Sequence, residues 1–314
     1  MRISKKLSIA IFVLAVATLA GCSGQSDGGN STSSAGESSA ESTVSEVAKD
    51  NNEVQKSDAE SSEISSSELV PTENEESKSG KCGDNAYYTV SEDGVLTISG
   101  TGDIYDYGSE EGSRNPWQRF MVPSFHKVVI ENGITRIGDY AFLYCDQYEI
   151  IIPDSVTSIG KYAFNECGSI ENIELPESIV KIEEGAFANS SINKINVPKN
   201  VKEIPEKMCD SCFGLQEVII SEGVEKIGVS AFDCCEDLKE LKLPDTLTTI
   251  DKYALGTCRG ITELTIPEKV NTINAYAFFD WEDSQTIYVK GKAEAPEGWD
   301  DDWKTDEVKV VWNA

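Results

Sequence analysis

A cysteine pair near the middle of the chain has residue types and a spacing that could carry chemistry. Cys209-Asp-Ser-Cys212 matches the spacing of redox motifs and of one half of a zinc site, and Cys234-Cys235 lies close by in the sequence. Such cysteines can close a local disulfide, or they can supply thiolate ligands to a zinc ion. Both interpretations remain open on the sequence, as does the redox state of Cys82, Cys209 and Cys234.

A third interpretation of the cysteines is structural, and we favour it. Five of the nine cysteines stand three residues after a recurring apolar position. These five are Cys145, Cys167, Cys212, Cys235 and Cys258. A disulfide framework does not require this regularity, whereas a ladder of buried thiols in stacked repeats does. Ser190 and Trp281 occupy the same place in two further copies.

The remaining candidates for chemistry are better explained as turns and loops. His126 is the single histidine and has no cysteine or serine nucleophile motif nearby. Gly100-Thr-Gly102 lacks the third glycine of a dinucleotide-binding loop. Asp300-Asp-Asp302 has no surrounding EF-hand spacing, so a solvated loop is favoured and calcium binding is left open. We therefore predict no catalytic residue, no resident metal and no cofactor, and we do not expect an enzyme.

The regular cysteines belong to a repeat that organises the second half of the chain. Its clearest copy spans residues 150–167, and the Phe of its Ala-Phe dipeptide recurs every 22 or 23 residues. That Phe position is filled in order by Phe142, Phe164, Phe187, Cys209, Phe232, Leu255 and Phe278. A fixed period in the low twenties indicates a solenoid.

Each copy combines a short strand with an apolar segment. In residues 150–153 the alternation points Ile150 and Ile152 inward, and a proline ends the ladder of hydrogen bonds. Val156 and Ile159 are the next inward positions, and the Ala-Phe segment after them is interpreted as a short helical turn. This pattern predicts an α/β repeat solenoid of the leucine-rich-repeat type, with a parallel sheet of about eight short strands.

The repeated unit, I-x-I-P-x-x-V-x-x-I-G-x-x-A-F-x-x-C, resembles that of the BspA-like bacterial surface leucine-rich repeats. Seven consecutive copies carry the resemblance, over residues 126–283 and about half of the chain. The resemblance implies a curved right-handed solenoid on a bacterial surface and a role in adhesion to molecules of a host or a neighbouring cell. It implies no particular ligand.

The N-terminus resembles a bacterial lipoprotein signal. Residues 1–6 are basic, residues 7–19 are apolar but too short to be a preferred membrane span, and Leu19-Ala-Gly-Cys22 has small residues ahead of a cysteine. We expect cleavage after residue 21 and a lipid anchor on Cys22 that attaches the protein to the membrane. The alternative is an ordinary secretory signal in which Cys22 is incidental.

Residues 22–80 are interpreted as a disordered Ser/Glu-rich tether. The segment contains no Phe, Trp or Tyr, so it cannot bury enough apolar surface to fold. Most of the formal net charge of −28 lies beyond this tether, in the folded part. A charge of this sign and size disfavours nucleic acid and anionic membrane surfaces as partners.

Apolar segments are predicted to cap both ends of the solenoid, because an open end would expose its core and its strand edge. Residues 81–125 contain two alternating runs joined through Asp93-Gly94, which predicts a β-hairpin, followed by Trp117, Phe120, Met121 and Phe125. Residues 284–314 supply a last strand and a cap that contains tryptophans.

The outward side chains of the strands form the candidate binding surface, which we name the strand face. Its central row is Val129, Ile151, Glu174, Asn196, Ile219, Lys242 and Thr265, with Tyr288 next in line, and three acidic neighbours are Glu217, Glu240 and Glu263. A second candidate surface is a row of tyrosines: Tyr140, Tyr162, Tyr253 and Tyr276. Isolated exposed apolar residues are normal, so neither row by itself identifies a ligand.

Three classes of function compete: a binding module, an enzyme and a passive envelope spacer. A repeat stack presents a long and variable surface on a rigid scaffold, which favours binding. A spacer would need no irregularity in its outward rows, whereas these change from Val129 and Ile151 at one end to glutamates at the other. We therefore expect a lipid-anchored surface protein that binds an extracellular protein or glycan.

Overall fold

The computed structural model describes residues 78–118, 126–145, 149–168, 170 and 172–314 of the chain. Within them the chain folds as a parallel β-solenoid of short strands. The predicted signal at residues 1–21, Cys22 and almost all of the predicted tether lie outside the described residues. Phe120, Met121 and Phe125 of the predicted N-terminal cap lie outside them as well.

The strands are short, and most contain two to four residues. In chain order they are β1 Ser79–Lys81, β2 Asn85–Val90, β3 Val95–Asp103, β4 Lys127–Ile130, β5 Ile134–Ile137, β6 Glu149–Ile151, β7 Ser158–Ile159, β8 Asn172–Ile173, β9 Lys181–Ile182, β10 Lys194–Val197, β11 Glu203–Ile204, β12 Glu217–Ile220, β13 Lys226–Ile227, β14 Glu240–Lys242, β15 Thr249–Ile250, β16 Glu263–Ile266, β17 Thr272–Ile273, β18 Thr286–Val289 and β19 Lys309–Trp312.

Each solenoid turn contributes to two parallel stacks of strands. In each turn the strand that precedes the proline, or its equivalent residue, joins the first stack, whose hydrogen-bonded groups are β4-β6, β8-β10-β12-β14 and β16-β18. The second stack was not predicted as strand: it is built from two-residue strands such as β7, β9 and β13. Those strands coincide with the second aliphatic position, where Ile159 pairs with Ile182 and Ile227 pairs with Ile250.

Inward side chains of successive turns stack directly on one another to form one continuous core. Phe142, Phe164 and Phe187 have ring centroids 5.2 and 5.3 Å apart and nearly parallel planes. All three rings are fully buried. At the fourth turn Met208 and Cys209 replace the usual Ala-Phe pair, and both are fully buried. A larger residue at the alanine position therefore accompanies the loss of the ring.

The helical turn predicted at the Ala-Phe segment is wrong, so the α/β part of the fold class is corrected to β. The described residues contain no α-helix. In the first copy the N–H groups of Tyr140, Phe142 and Tyr144 donate to carbonyls of the next turn. Those of Ala141 and Leu143 donate three residues back instead, to Gly138 and Tyr140.

Backbone dihedrals explain why this segment is not helical. Two residues per copy adopt left-handed φ values, for example 53° at Tyr140 and 61° at Tyr144. Left-handed residues occur singly and interrupt an α-helix. The alternating hydrogen bonds instead tie every second N–H group to the neighbouring turn, so this side of the solenoid is also cross-linked from turn to turn.

At the N-terminal end, β2 and β3 pair as an antiparallel hairpin, and β3 then pairs in parallel with both β4 and β5. Trp117 is fully buried and stacks on Phe142 at 5.4 Å. At the other end β19 pairs with β18, and Trp299 and Trp303 are buried. Among the residues that the structure describes, no helix is long and apolar enough to cross a membrane.

Candidate functional site: the strand face

The register of the parallel strands brings most of the predicted outward row together. The paired residues are Val129 with Ile151, Asn196 with Ile219, Ile219 with Lys242, and Thr265 with Tyr288. Glu174 follows β8 and is exposed. The strand face is therefore a physical surface on the first stack of strands, with its side chains held at the inter-strand spacing of about 4.8 Å.

Two isoleucines are the apolar features of the strand face. Ile151 is 41% exposed and Ile219 is 43% exposed, although each belongs to a regular strand. Val129 is only half-buried beside Ile151. Each isoleucine lies on a backbone fixed by hydrogen bonds to neighbouring turns, so a partner that covered it would order little additional chain.

Charged residues beside this row are partly paired across strands. Lys127 contacts Glu149 at 3.0 Å, and Lys194 contacts Glu217 at 2.8 Å. The Tyr288 hydroxyl donates to Glu263 at 3.3 Å, and the negative charge of Glu263 raises the pKa of Tyr288. Of the three glutamates in the run, Glu217 is therefore ion-paired and Glu263 accepts a hydrogen bond. Exposed pairs of this kind contribute little stability and leave the surface mixed in charge.

Asn196 has a structural role that its place in the outward row did not reveal. Its side-chain amide donates to the Leu175 carbonyl at 3.0 Å, and its Oδ1 accepts from the Leu175 N–H at 3.1 Å. β8 ends at Ile173, so the Asn196 side chain completes the backbone ladder where strand pairing stops. Both polar atoms of the Asn196 side chain are therefore used in hydrogen bonds within the protein.

Depressions along the strand face are lined by residues of the predicted row and their neighbours. One lies beside Ile151, Glu131 and Asp154, a second beside Glu174, Lys194 and Asn196, a third beside Glu217, Ile219, Glu240 and Lys242, and a fourth beside Lys242, Glu263, Thr265 and Tyr288. Both exposed isoleucines thus border a depression that also offers charged groups.

The cysteine ladder is buried in the core and has one recurring hydrogen bond. Each donor reaches the carbonyl of the Phe position in the preceding turn: Cys167 to Phe142 at 3.2 Å, Ser190 to Phe164 at 2.6 Å, Cys212 to Phe187 at 3.1 Å, Cys235 to Cys209 at 3.2 Å, Cys258 to Phe232 at 3.2 Å, and Trp281 to Leu255 at 2.8 Å. The cysteine thiol, the serine hydroxyl and the tryptophan indole at this position all act as hydrogen-bond donors. The buried slot therefore selects a donor rather than sulfur itself.

The family follows from the repeat sequence. Residues 118–238 and 202–295 match the family model described as BspA type leucine rich repeat region, in six copies, and together they cover more than half of the chain. The chain belongs to this family.

Solved leucine-rich-repeat structures are similar to this chain at low identity. A protein from Bacteroides ovatus has 18% identity, covers 73% of this chain and 66% of its own, and gives a TM-score of 0.46. One from Eubacterium ventriosum has 18% identity, covers 64% and 94%, and gives 0.29. A cell surface protein from Faecalibacterium prausnitzii has 15% identity, covers 74% and 94%, and gives 0.23. Comparison with curated proteins finds no match.

One departure from the BspA-type repeat lies in the fourth turn. Cys209 takes the Phe position, and Cys209 and Cys212 are both buried free thiols. Burial raises the pKa of the Cys209 thiol well above its ordinary value, and a side-chain hydrogen bond with Cys212 raises it further. No group of three His, Cys, Asp or Glu side chains in the described part of the chain is arranged to hold a metal ion.

The loop from Asp300 to Asp302 has a local structural explanation. The Asp302 N–H donates to the Asp300 carboxylate at 2.9 Å, and the Asp302 carbonyl accepts from the Tyr276 N–H at 2.7 Å. These bonds fix the loop against the last turn of the BspA-type repeats. His126 is exposed at the start of β4.

Two neighbouring aspartates, Asp233 buried and Asp210 half-buried, were missed by sequence reasoning. Asp210 and Asp233 follow the Phe position in consecutive turns, and the Ser211 N–H donates to the Asp233 carbonyl at 2.8 Å. Asp233 is only 7% exposed. Burial and then the charge of Asp210 raise its pKa to about 6, while burial raises the pKa of Asp210 as well. The available signal was two acids at one position of the BspA-type repeat.

The predicted tyrosine row forms two separate stacks. Tyr140 and Tyr162 are 5.3 Å apart, and Tyr253 and Tyr276 are 5.4 Å apart, with nearly parallel rings in each pair. Phe279 packs edge-on against the second pair and is 44% exposed. The two tyrosine pairs and the contact of Phe279 with Tyr253 join successive turns, so they stabilise the solenoid whether or not a ligand covers them.

Proposed function

We propose that this BspA-type repeat protein is exported, anchored through lipid on Cys22 and extended by residues 22–80, and that it binds an extracellular protein or glycan through the strand face. The observation that carries the binding proposal is the pair of exposed isoleucines, Ile151 and Ile219, each beside a depression on a rigid sheet. The family match is to a repeat scaffold and indicates no catalytic domain.

The location is supported by the N-terminal sequence and by what the family resemblance implies. A basic start, a short apolar stretch and Leu19-Ala-Gly-Cys22 together match a lipoprotein signal. Acylation of both the thiol and the new amine would give several chains, which anchor stably where one does not. Metabolic labelling with a fatty acid tests this, because Cys22→Ser must abolish the label and release the protein from the membrane fraction.

The binding proposal is tested with substitutions on the strand face and beside the second stack of strands. Purified chain is screened against immobilised extracellular-matrix proteins, glycans and whole cells. If the substituted isoleucine is a binding hot spot, Ile151→Asp or Ile219→Asp should weaken the affinity for a ligand found in the screen by about tenfold or more. Val180→Asp is the matched control, since Val180 is 57% exposed but lies beside the second stack of strands.

Charge provides an independent arm of the test. Replacing Glu217, Glu240 and Glu263 together by lysine should change the affinity and its salt dependence if the partner covers the C-terminal half of the strand face. If all strand-face variants bind as well as the parent protein, the binding site lies on another surface. The absence of any ligand in the screen would favour a passive spacer instead.

A further inference from the structure

Cys209 and Cys212 form the two ends of one tight turn. The Cys212 N–H donates to the Cys209 carbonyl at 3.2 Å, and Ser211 between them has a left-handed φ of 59°. A turn closed by this bond brings its first and last Cα atoms within about 7 Å. Disulfides join Cα atoms about 4.4–6.8 Å apart, so the backbone already has a separation that a bridge can span.

Both side chains of this turn point into the same part of the core. Cys209 and Cys212 are fully buried, and the Cys212 side chain is close enough to Cys209 to raise the pKa of the Cys209 thiol. The Cys212 thiol also donates to the Phe187 carbonyl at 3.1 Å. The two cysteines are therefore buried neighbours within one turn, as a disulfide between them would require.

Other neighbouring cysteines are less suited to a bridge. Cys212, Cys235 and Cys258 occupy equivalent positions in successive turns, where parallel side chains are held about 4.8 Å apart. That spacing exceeds the Cβ separation of about 3.8 Å typical of disulfides. Cys234 contacts the Asp233 carboxylate, whereas Cys235 donates to the Cys209 carbonyl, so these adjacent residues use different partners.

The replacement at the Phe position creates the pair. The preceding turn places Phe187 at this position and the following turn places Phe232 there, and both rings are fully buried. Cysteine at position 209 is too small to replace either ring, but it sets a second sulfur beside the ladder cysteine. Met208, at the position that is alanine in the neighbouring turns, supplies buried volume that the cysteine lacks.

We propose that Cys209 and Cys212 are a disulfide-forming pair that is oxidised by thiol–disulfide exchange with a small-molecule disulfide. The thiolate of one cysteine attacks the reagent and releases one reagent thiolate, leaving a mixed disulfide. The thiolate of the other cysteine then attacks the protein sulfur of the mixed disulfide and releases the second. The two protons lost by the cysteines end on the two reagent thiols, so the reagent is reduced as the pair is oxidised.

Burial determines when this exchange takes place. In the folded protein both thiols are inaccessible, and the pKa of Cys209 is raised, which lowers the thiolate fraction that reacts. Oxidation therefore occurs while the chain folds, or when this turn opens locally. An oxidising compartment outside the cell supplies conditions in which such a bridge persists.

The test refolds the full chain, with Cys22→Ser, from the reduced and unfolded state in a buffer of oxidised and reduced glutathione. After acid quenching, alkylation under denaturing conditions and mass spectrometry count the remaining thiols. We expect two unmodified cysteines, a mass about 2 Da lower before alkylation, and one internally bridged peptide containing Cys209 and Cys212. Circular dichroism confirms that the molecules counted are folded.

Matched variants make the result specific. Cys258→Ser should keep the bridge, whereas Cys212→Ser and Cys209→Phe should lose it, and Cys209→Phe also restores the ring found in neighbouring turns. Full alkylation of all cysteines in the refolded parent chain would overturn the proposal. A bridge that maps to another pair, such as Cys212 with Cys235, would overturn it equally.

Discussion

Asp233→Asn should stabilise the protein at neutral pH and leave its stability nearly unchanged in acid. The Asp233 carboxyl is 7% exposed and has a folded-state pKa of about 6 against an ordinary value of 3.8. Each unit of difference corresponds to about 1.4 kcal/mol, so the ionised carboxylate costs about 3 kcal/mol of unfolding free energy at pH 7.5. The amide has no charge to desolvate and can keep the acceptor oxygen that Cys234 N–H uses at 3.0 Å.

The sign of the pH dependence follows from the raised pKa. Because the folded state binds the proton more tightly than the unfolded state, the stabilising effect is fully present below about pH 3.8 and is lost as pH rises through about 6. The advantage of Asp233→Asn over the parent should therefore grow across this interval and stay constant above it. Asp210 belongs to the same pair, so its substitution should lower the pKa of Asp233.

Urea denaturation from pH 4 to pH 8 measures this effect in the parent, in Asp233→Asn and in Asp237→Asn. Asp237 is an exposed aspartate close in sequence and serves as the control, for which we expect a change within about 0.5 kcal/mol. An Asp233→Asn protein that is equally stable or less stable at pH 7.5 would refute the reasoning. A gain that does not vary with pH would show that desolvation of the charge is not its cause.

Three further predictions concern the core. Phe164→Ala should cost about 3–5 kcal/mol in urea denaturation, because its ring is stacked on both sides, and a cost below about 1 kcal/mol would contradict that packing. Cys167→Ser should be tolerated within about 1 kcal/mol, whereas Cys167→Ala should cost more because it removes the donor to Phe142; equal costs would show that the donor is irrelevant. Amide hydrogen exchange should be faster in the Cys209 turn than in the Phe164 turn, and Asp233→Asn should slow exchange in the Cys209 turn. Equal protection of both turns would contradict a weak interface between the fourth and fifth turns.

Much of the fold could be predicted from the sequence because stacked repeats place equivalent residues in equivalent surroundings. Phe142 and Phe164 are both buried because they occupy the same inward position of successive repeats, and the period of about 23 residues identifies that position from the sequence. The conformation of the Ala-Phe segment was not predictable in this way. Burial of Ala and Phe is compatible both with a helix and with the observed series of turns. The two structures differ in whether the backbone N–H groups donate to carbonyls of the same copy or of the next copy.

The strand face was only partly predictable, for a different physical reason. Outward direction follows from alternation along a strand, so the rows containing Ile151 and Ile219 were accessible to sequence reasoning. The hydrogen bonds of Asn196 to the Leu175 backbone could not be predicted, because they depend on where β8, in the preceding turn, ends. Pairing of Glu217 with Lys194 likewise needs the geometry of two neighbouring turns. Chemistry that depends on contacts between copies is not contained in the repeat pattern of one copy.

Stability in a solenoid is the sum of turns and of the interfaces between them, so a defect at one interface is not averaged over the whole chain. The fourth and fifth turns combine two such defects: Cys209 interrupts the stack of rings, and Asp233 is buried beside Asp210. Phe142 and Phe164, by contrast, meet in full ring contact. We therefore expect local opening to cost least at the interface between the fourth and fifth turns, where a bridge between Cys209 and Cys212 would compensate by constraining the unfolded chain. The acidic pair and the cysteine pair thus act on the same interface, one weakening it above about pH 6 and the other able to strengthen it under oxidising conditions.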